Sequence, residues 1–206
     1  MKYFFSFFLC VFLLMLGCAD KEKKPSNESL KKSSFPKEEG IAVELNLEKS
    51  KIFWIGKKIT SEHSGELFLK SGVLQMNNDK VVSGTFIIDM NTLKNTDIEN
   101  PKKKGYLEDH LKSEDFFSVE KYQEAIFLLT SASISGENEY TFKGDLTIKS
   151  ITHPISFPAV VSKNVDGTFS ANAHIEIDRT LWDIRYRSGK FFQDLGDKLI
   201  LDLIEL

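Results

Sequence analysis

From Ile41 to the C-terminus, apolar and polar residues alternate with a period of two, in stretches separated mostly by short turn-forming clusters. Such alternation puts one face of each strand in an interior and the other in water. Links of a few residues favour antiparallel hairpins, because a parallel crossover needs a dozen residues or more. Lys80 to Asn91 places Val82, Phe86, Ile88 and Met90 on one face and Ser83, Thr85 and Asp89 on the other. Tyr140 to Lys149 sets Tyr140, Phe142, Leu146 and Ile148 against Thr141, Lys143, Asp145 and Thr147. Comparable stretches cover 51–60, 65–77, 125–135, 154–161, 169–178 and 198–205. The pattern predicts eight strands around a single interior.

Eight strands of this kind build a sandwich or a closed barrel, and a barrel of that size is filled by side chains or holds one small ligand. Gly144, Ala159, Ala171 and Ala173 fall on inward faces, where they leave room for a cavity or for interdigitating larger neighbours. One segment breaks the pattern, the connection from Asn91 to Gln123. Within it, 100–105 reads as loop. Leu107 and Leu111 lie four apart and Ser113-Glu114-Asp115 resembles a helix start, so one or two short helices covering a barrel end are expected.

The first 40 residues have a different character. Met1-Lys2 precedes an apolar run to Gly17, too short for a bilayer span of about 20 residues. A basic start and a short apolar region read as a secretory signal. The run ends in Met15-Leu16-Gly17-Cys18, which resembles the lipobox of bacterial lipoproteins, where a small residue precedes a cysteine that is joined to diacylglycerol. Residues 1–17 are therefore expected to be a signal peptide, and 18–40 a lipidated Cys18 with a disordered tether rich in Lys, Glu, Ser and Pro. The folded domain is expected over 41–206. The resemblance places the protein at a membrane of the bacterial envelope, facing the periplasm.

Composition excludes several kinds of chemistry. Both cysteines, Cys10 and Cys18, precede the domain, so it has no disulfide, thiolate metal site or cysteine nucleophile. The formal net charge of −3 gives no nucleic-acid footprint. No GxSxG, GxGxxG or GxxxxGK[ST] motif occurs, and the four histidines show no two-His helical metal spacing. His174 and Glu176 share a strand face but sit on the polar exterior, and Asp109 and His110 point apart on a helix. With no convergent acid, base and nucleophile, the sequence describes a non-enzyme without cofactor or metal.

Basic residues are unevenly distributed. All three arginines, Arg179, Arg185 and Arg187, fall within nine residues, and lysine supplies the remaining basic residues. Arg185 and Arg187 on one strand face form a candidate clamp for an anionic head group, since guanidinium is planar and forked. The alternative is ion pairing with Asp178, Asp183 or Asp194.

Three segments carry a family resemblance. Residues 108–122 (EDHLKSEDFFSVEKY) resemble the D-x-HLKS-x-DFFDV-x-KYP segment of the YceI-like family. Residues 144–155 (GDLTIKSITHPI) resemble its GDLTIKGVTKPV hairpin, and 177–186 (IDRTLWDIRY) its I-x-R-x-x-W/F motif. Ser50-Lys51-Ile52-Phe53-Trp54 and His63-Ser64-Gly65 fit its first strands. Gln123, Ser118 and Ser150 stand where the family has Pro, Asp and Gly, departures expected to affect local turns.

The resemblance implies an extended lipocalin-like, eight-stranded antiparallel β-barrel with an apolar cavity, holding a polyisoprenoid, an isoprenoid quinone or a similar long amphiphile, and no catalytic residues. On the strand pattern, Phe86, Ile88, Phe127, Phe142, Ile148, Phe157, Phe169 and Ile175 would line the cavity, and Leu111, Phe116 and Phe117 would cover one end. The expected partners are that lipid and, through Cys18, a membrane. The expected role is carrier or sequestering protein. The alternative is an envelope interaction module whose barrel is filled by its own side chains.

Overall fold

The computed structural model describes residues 40–206. The expected signal peptide, Cys18 and nearly all of the tether lie outside the described residues. Ten strands and one helix follow in order: β1 (Ile41–Glu44), β2 (Lys51–Lys58), β3 (Glu62–Asn77), β4 (Lys80–Asn95), α1 (Pro101–Lys112), β5 (Glu124–Ile134), β6 (Glu139–Ile148), β7 (Ile151–Lys163), β8 (Phe169–Ala173), β9 (Glu176–Asp178) and β10 (Ile200–Glu205). A 3₁₀ turn, Arg179–Trp182, follows β9. Two more strands are present than the alternation predicts. β1 is a short addition, and the expected strand 169–178 is interrupted at His174-Ile175, which divides it into β8 and β9.

All strands belong to one antiparallel sheet in the order β8-β7-β6-β5-β4-β3-β2-β10-β9, with β1 paired to β3. The sheet is curled into a half-closed barrel, and the two ends of its strand order meet in one stretch of chain. β8 pairs with β7, and β9, two residues later, pairs with β10. Ile175 and Leu206 exchange backbone hydrogen bonds of 2.8 Å at that junction. Closure is confined to the end formed by β9, β10 and β2. At the other end β1 covers the part of β3 that β2 leaves free. In the sheet as a whole, β1, β8 and β9 each have a ladder partner on one side only.

Turn chemistry fixes the hairpins. Asn78-Asp79 between β3 and β4, and Lys149-Ser150 between β6 and β7, all have positive φ, the two-residue geometry that matches strand twist. Asn and Asp tolerate that region, whereas Lys149 and Ser150 occupy it at a cost.

The connection after β4 departs from expectation at its start. Residues 100–105, read as loop, begin the helix: the Asn100 side chain accepts from the Lys103 N–H, and Pro101 occupies the first helical turn. Ser113 ends the helix rather than starting one, and its N–H donates to His110 O at 3.1 Å. The Arg185–Arg187 segment lies in turns rather than a strand, with Arg187 at φ 50°.

The interior differs between the two ends. Toward the edge-strand end it is solid. Phe127 packs against Phe86 and Phe157 with ring centroids 6.2 and 5.4 Å away, and Phe142 against Phe157 and Tyr140 at 6.0 and 5.7 Å. Gly144 leaves room here for the Phe127 ring, not for a cavity, since a Cβ on it would stand 2.7 Å from that ring. Ala159 is buried in the same packing, whereas Ala171 and Ala173, expected inward, are exposed. Toward the closed end the wall residues are mainly aliphatic and leave a space. Residues 40–206 form one compact unit that contains the whole described core, the property of a domain that folds alone.

Candidate functional site

The space at the closed end is a cavity of about 270 Å³. Ile52, Leu67, Ile88, Ile148 and Ile204, with the indole of Trp54, give its wall an apolar surface from strands around the barrel. The cover is built by α1 and the turns after it, where Leu107, Leu111, Phe116 and Phe117 border the cavity. His110 joins them by stacking edge-on to Phe116 at 5.1 Å and to Tyr186 at 4.7 Å. The cover is tied down at both ends. Asn95, fully buried at the end of β4, accepts the Ile98 N–H at 2.9 Å, and its own N–H donates to Glu108 of α1 at 2.8 Å. Met90 N–H donates to Gln123 O at 2.9 Å.

Polar groups on the wall are mostly matched. Arg179 is 1% exposed, and its guanidinium donates to Ile184 O at 2.7 Å, Ile200 O at 3.0 Å and Leu201 O at 3.0 Å, with Asp202 at 3.4 Å. Burial draws its pKa below the ordinary arginine value, against the opposing pull of Asp202 and Asp178. Lys57 pairs with Glu205, and that hydrogen bond raises the lysine and lowers the carboxylate. His63 Nδ1 lies 2.8 Å from Asp97, and His110 Nε2 lies 2.9 Å from Asp115. Burial raises the Asp97 pKa, but hydrogen bonds from His63, Ser64 N–H and Asn95 outweigh it and leave the group below the usual range. Each His–Asp pair is two-thirds of a hydrolytic triad, but among the described residues no hydroxyl or thiol bonds the other ring nitrogen. Among the described residues no cluster of three His, Cys, Asp or Glu side chains is placed to hold a metal. His174 and Glu176 are both exposed.

A family model for the YceI-like domain matches residues 44–205. The chain belongs to the YceI-like family. Its relatives include a UPF0312 protein of Photorhabdus laumondii, 34% identical over 90 residues, which are 43% of this chain and 45% of that protein. A UPF0312 protein of Pseudomonas putida is 42% identical over 50 residues, 24% of this chain and 26% of the relative. The chain thus spans between about a quarter and under half the length of these curated relatives. Among solved structures, BcnA of Burkholderia cenocepacia superposes with a TM-score of 0.61 at 22% identity, covering 78% of this chain and 94% of BcnA. A polyisoprenoid-binding domain of Saccharophagus degradans, implicated in plant cell wall breakdown, gives 0.57 at 10% identity, covering 81% and 94%. At these identities the likeness establishes the fold.

The three family-like segments have distinct places in the YceI-like barrel. Residues 108–122 form much of the cover, 144–155 the β6–β7 hairpin, and 177–186 the segment that closes the barrel. In that closing segment Trp182 is fully buried, and its indole N–H donates to Leu146 O at 3.0 Å. Beside it, His153 Nε2 is 2.9 Å from Leu181 O.

The residues expected to line the cavity divide. Ile88 and Ile148 border it. Phe86, Phe127, Phe142 and Phe157 instead form the solid aromatic cluster, and Phe169 and Ile175 pack half-buried against the core without reaching the cavity. The reason is closure: inward residues surround a space only where β9, β10 and β2 complete the ring. All three expected cover residues, Leu111, Phe116 and Phe117, border the cavity. The two expected head-group arginines are separated. Arg187 is on the wall, over the Tyr186 ring at 5.0 Å, whereas exposed Arg185 pairs with Asp183 at 2.5 Å and covers Phe191 at 4.8 Å. Sequence reasoning missed Lys58, His63, Trp54 and Tyr186 on this wall. The first two end a hairpin of ordinary polar composition and carried no signal, whereas a tryptophan on an alternating strand did.

Proposed function

We propose that this domain binds the apolar tail of a long-chain amphiphile, a polyisoprenoid, an isoprenoid quinone or a similar lipid, in the closed end of the barrel. It acts as a carrier or sequestering protein rather than an enzyme. The observation that carries this reading is the cavity of about 270 Å³ with an apolar wall and an aromatic cover. Burial of tail surface there contributes about 25 cal/mol per Å² without directional contacts, so an apolar wall suffices for affinity. The polyisoprenoid-binding domain of Saccharophagus degradans, which shares the fold, lends support. The volume lies just under the about 300–1,000 Å³ typical of small-ligand sites. It therefore suits a tail segment, and the aromatic cluster bars deeper entry of a long chain. That filled half is the part of the molecule that a pure interaction module would share.

In the same reading the protein is anchored through diacylated Cys18 at the bacterial envelope, facing the periplasm, with the tether holding the domain near its lipid source. The direct test is mass spectrometry of an organic extract from residues 40–206, purified from bacterial cells without detergent. A stoichiometric isoprenoid or other single-chain amphiphile is expected. A stable domain that carries no lipid and takes up none from an isoprenoid-rich extract overturns the reading.

A further inference from the structure

The charge on the cavity wall is one-sided. Six basic residues line the cavity, Lys57, Lys58, His63, His110, Arg179 and Arg187, and no Asp or Glu does. This occurs in a chain with 30 acidic and 27 basic residues, so it does not follow from composition. Four of the six have a carboxylate partner from outside the wall: Glu205, Asp97, Asp115 and Asp202, in that order for Lys57, His63, His110 and Arg179. Lys58 and Arg187 form no ion pair among the described residues. A cation beside an apolar surface gains strongly from an anion, because nothing else there compensates its partial desolvation.

The backbone sets these two on either side of Ile200. Lys58 is the ladder partner of Ile200, and Ile200 N–H donates to Arg187 O at 3.0 Å. Two chain spacings of about 5 Å thus separate them, within the combined reach of their side chains. Arg187 is held over the Tyr186 ring, and Tyr186 packs on Phe116 of the cover at 5.4 Å, so its guanidinium has a fixed relation to the cavity. Both side chains are half-buried.

We propose that Lys58 and Arg187 bind the anionic head, a carboxylate or a phosphate monoester, of the amphiphile whose tail enters the cavity. The forked guanidinium takes two oxygens and the ammonium a third contact, while the tail lies among the aliphatic wall residues. This assignment rests on the tail-binding reading above and adds the head chemistry, which an apolar wall alone leaves open.

The test uses the domain 40–206 and three probes with one tail: dodecanoate, dodecyl phosphate and dodecanol. Binding is followed by tryptophan fluorescence, since Trp54 borders the cavity. In the Lys58→Gln/Arg187→Gln double variant, affinity for one or both anions is expected to fall by about tenfold or more, with dodecanol within about twofold of its original affinity. Retained dodecanol binding also shows that the variant is folded. The anion that loses more identifies the head group. Arg185→Gln, with its ion pair outside the wall, is expected to leave all three affinities unchanged. Equal losses for the alcohol and the anions, or no loss for either anion, would overturn the head-group site. Failure of all three probes to bind the unsubstituted domain would overturn the tail-binding reading, and this assignment with it.

Discussion

Gly65 on β3 and Gly105 in α1 offer one substitution with opposite expected signs. Gly65 is the ladder partner of Trp54. A methyl group built on it falls inside the van der Waals envelope of Lys94 O and stands 2.5 Å from the Trp54 ring. Lys94 O also accepts the Trp54 indole N–H, at 3.2 Å. Neither the β4 backbone nor the buried indole can yield separately, so Gly65→Ala must displace the ring and stretch that bond. Overpacking costs about 1–3 kcal/mol and a weakened hydrogen bond about 1 kcal/mol more, giving about 2–4 kcal/mol. For a domain of this size that corresponds to a fall in Tm of about 5–15 °C. A methyl on Gly105 meets nothing within 4 Å, and alanine there gains about 0.5–1 kcal/mol from helix propensity. Thermal melts by circular dichroism, with urea titration monitored by tryptophan emission, measure both. If Gly65→Ala melts within a degree or two of the parent with unchanged emission, the close approach of β3, β4 and Trp54 is refuted.

The buried guanidinium of Arg179 satisfies three carbonyls, so Arg179→Met should cost about 3–5 kcal/mol, read as a lower urea midpoint. Ser150, at φ 61° in the β6–β7 turn, should gain about 1 kcal/mol on replacement by glycine, read as a higher Tm. Asp97 has a lowered folded-state pKa, so its ionised form stabilises the fold above the unfolded value of about 4, and that contribution disappears as pH falls through the folded value. Asp97→Asn should therefore be less stable at neutral pH and lose less stability on acidification below about pH 4, in urea titrations across pH. Cys18→Ser should abolish incorporation of labelled palmitate by the full chain in a bacterial host.

The strands were legible because burial on one face imposes period two wherever a strand lies in the barrel. The same rule could not show which inward residues surround space. Phe142 and Ile148 share a face of β6 with Leu146 between them, yet Phe142 belongs to the solid cluster while Leu146 and Ile148 border the cavity. The difference arises where β8 gives way to β9, a break of two residues in an otherwise regular pattern. The start of α1 was legible in principle, since Asn100-Pro101 is a cap followed by a favoured first-turn residue, but the following lysines and Gly105 read as loop. Lys58 and Arg187 came together only through Ile200, a contact spanning sequence separations that local patterning does not reach.

The incomplete closure of the barrel has a consequence for molecules held close together on a surface. β1, β8 and β9 each have a ladder partner on one side only, so each offers an edge to a neighbouring chain. These strands are only four, five and three residues long. Because outward backbone groups alternate along a strand, an incoming segment would gain about two or three hydrogen bonds, too few to repay about 1–2 kcal/mol of entropy for each residue it ordered. The brevity of these three strands therefore disfavours edge-to-edge pairing of crowded copies along them.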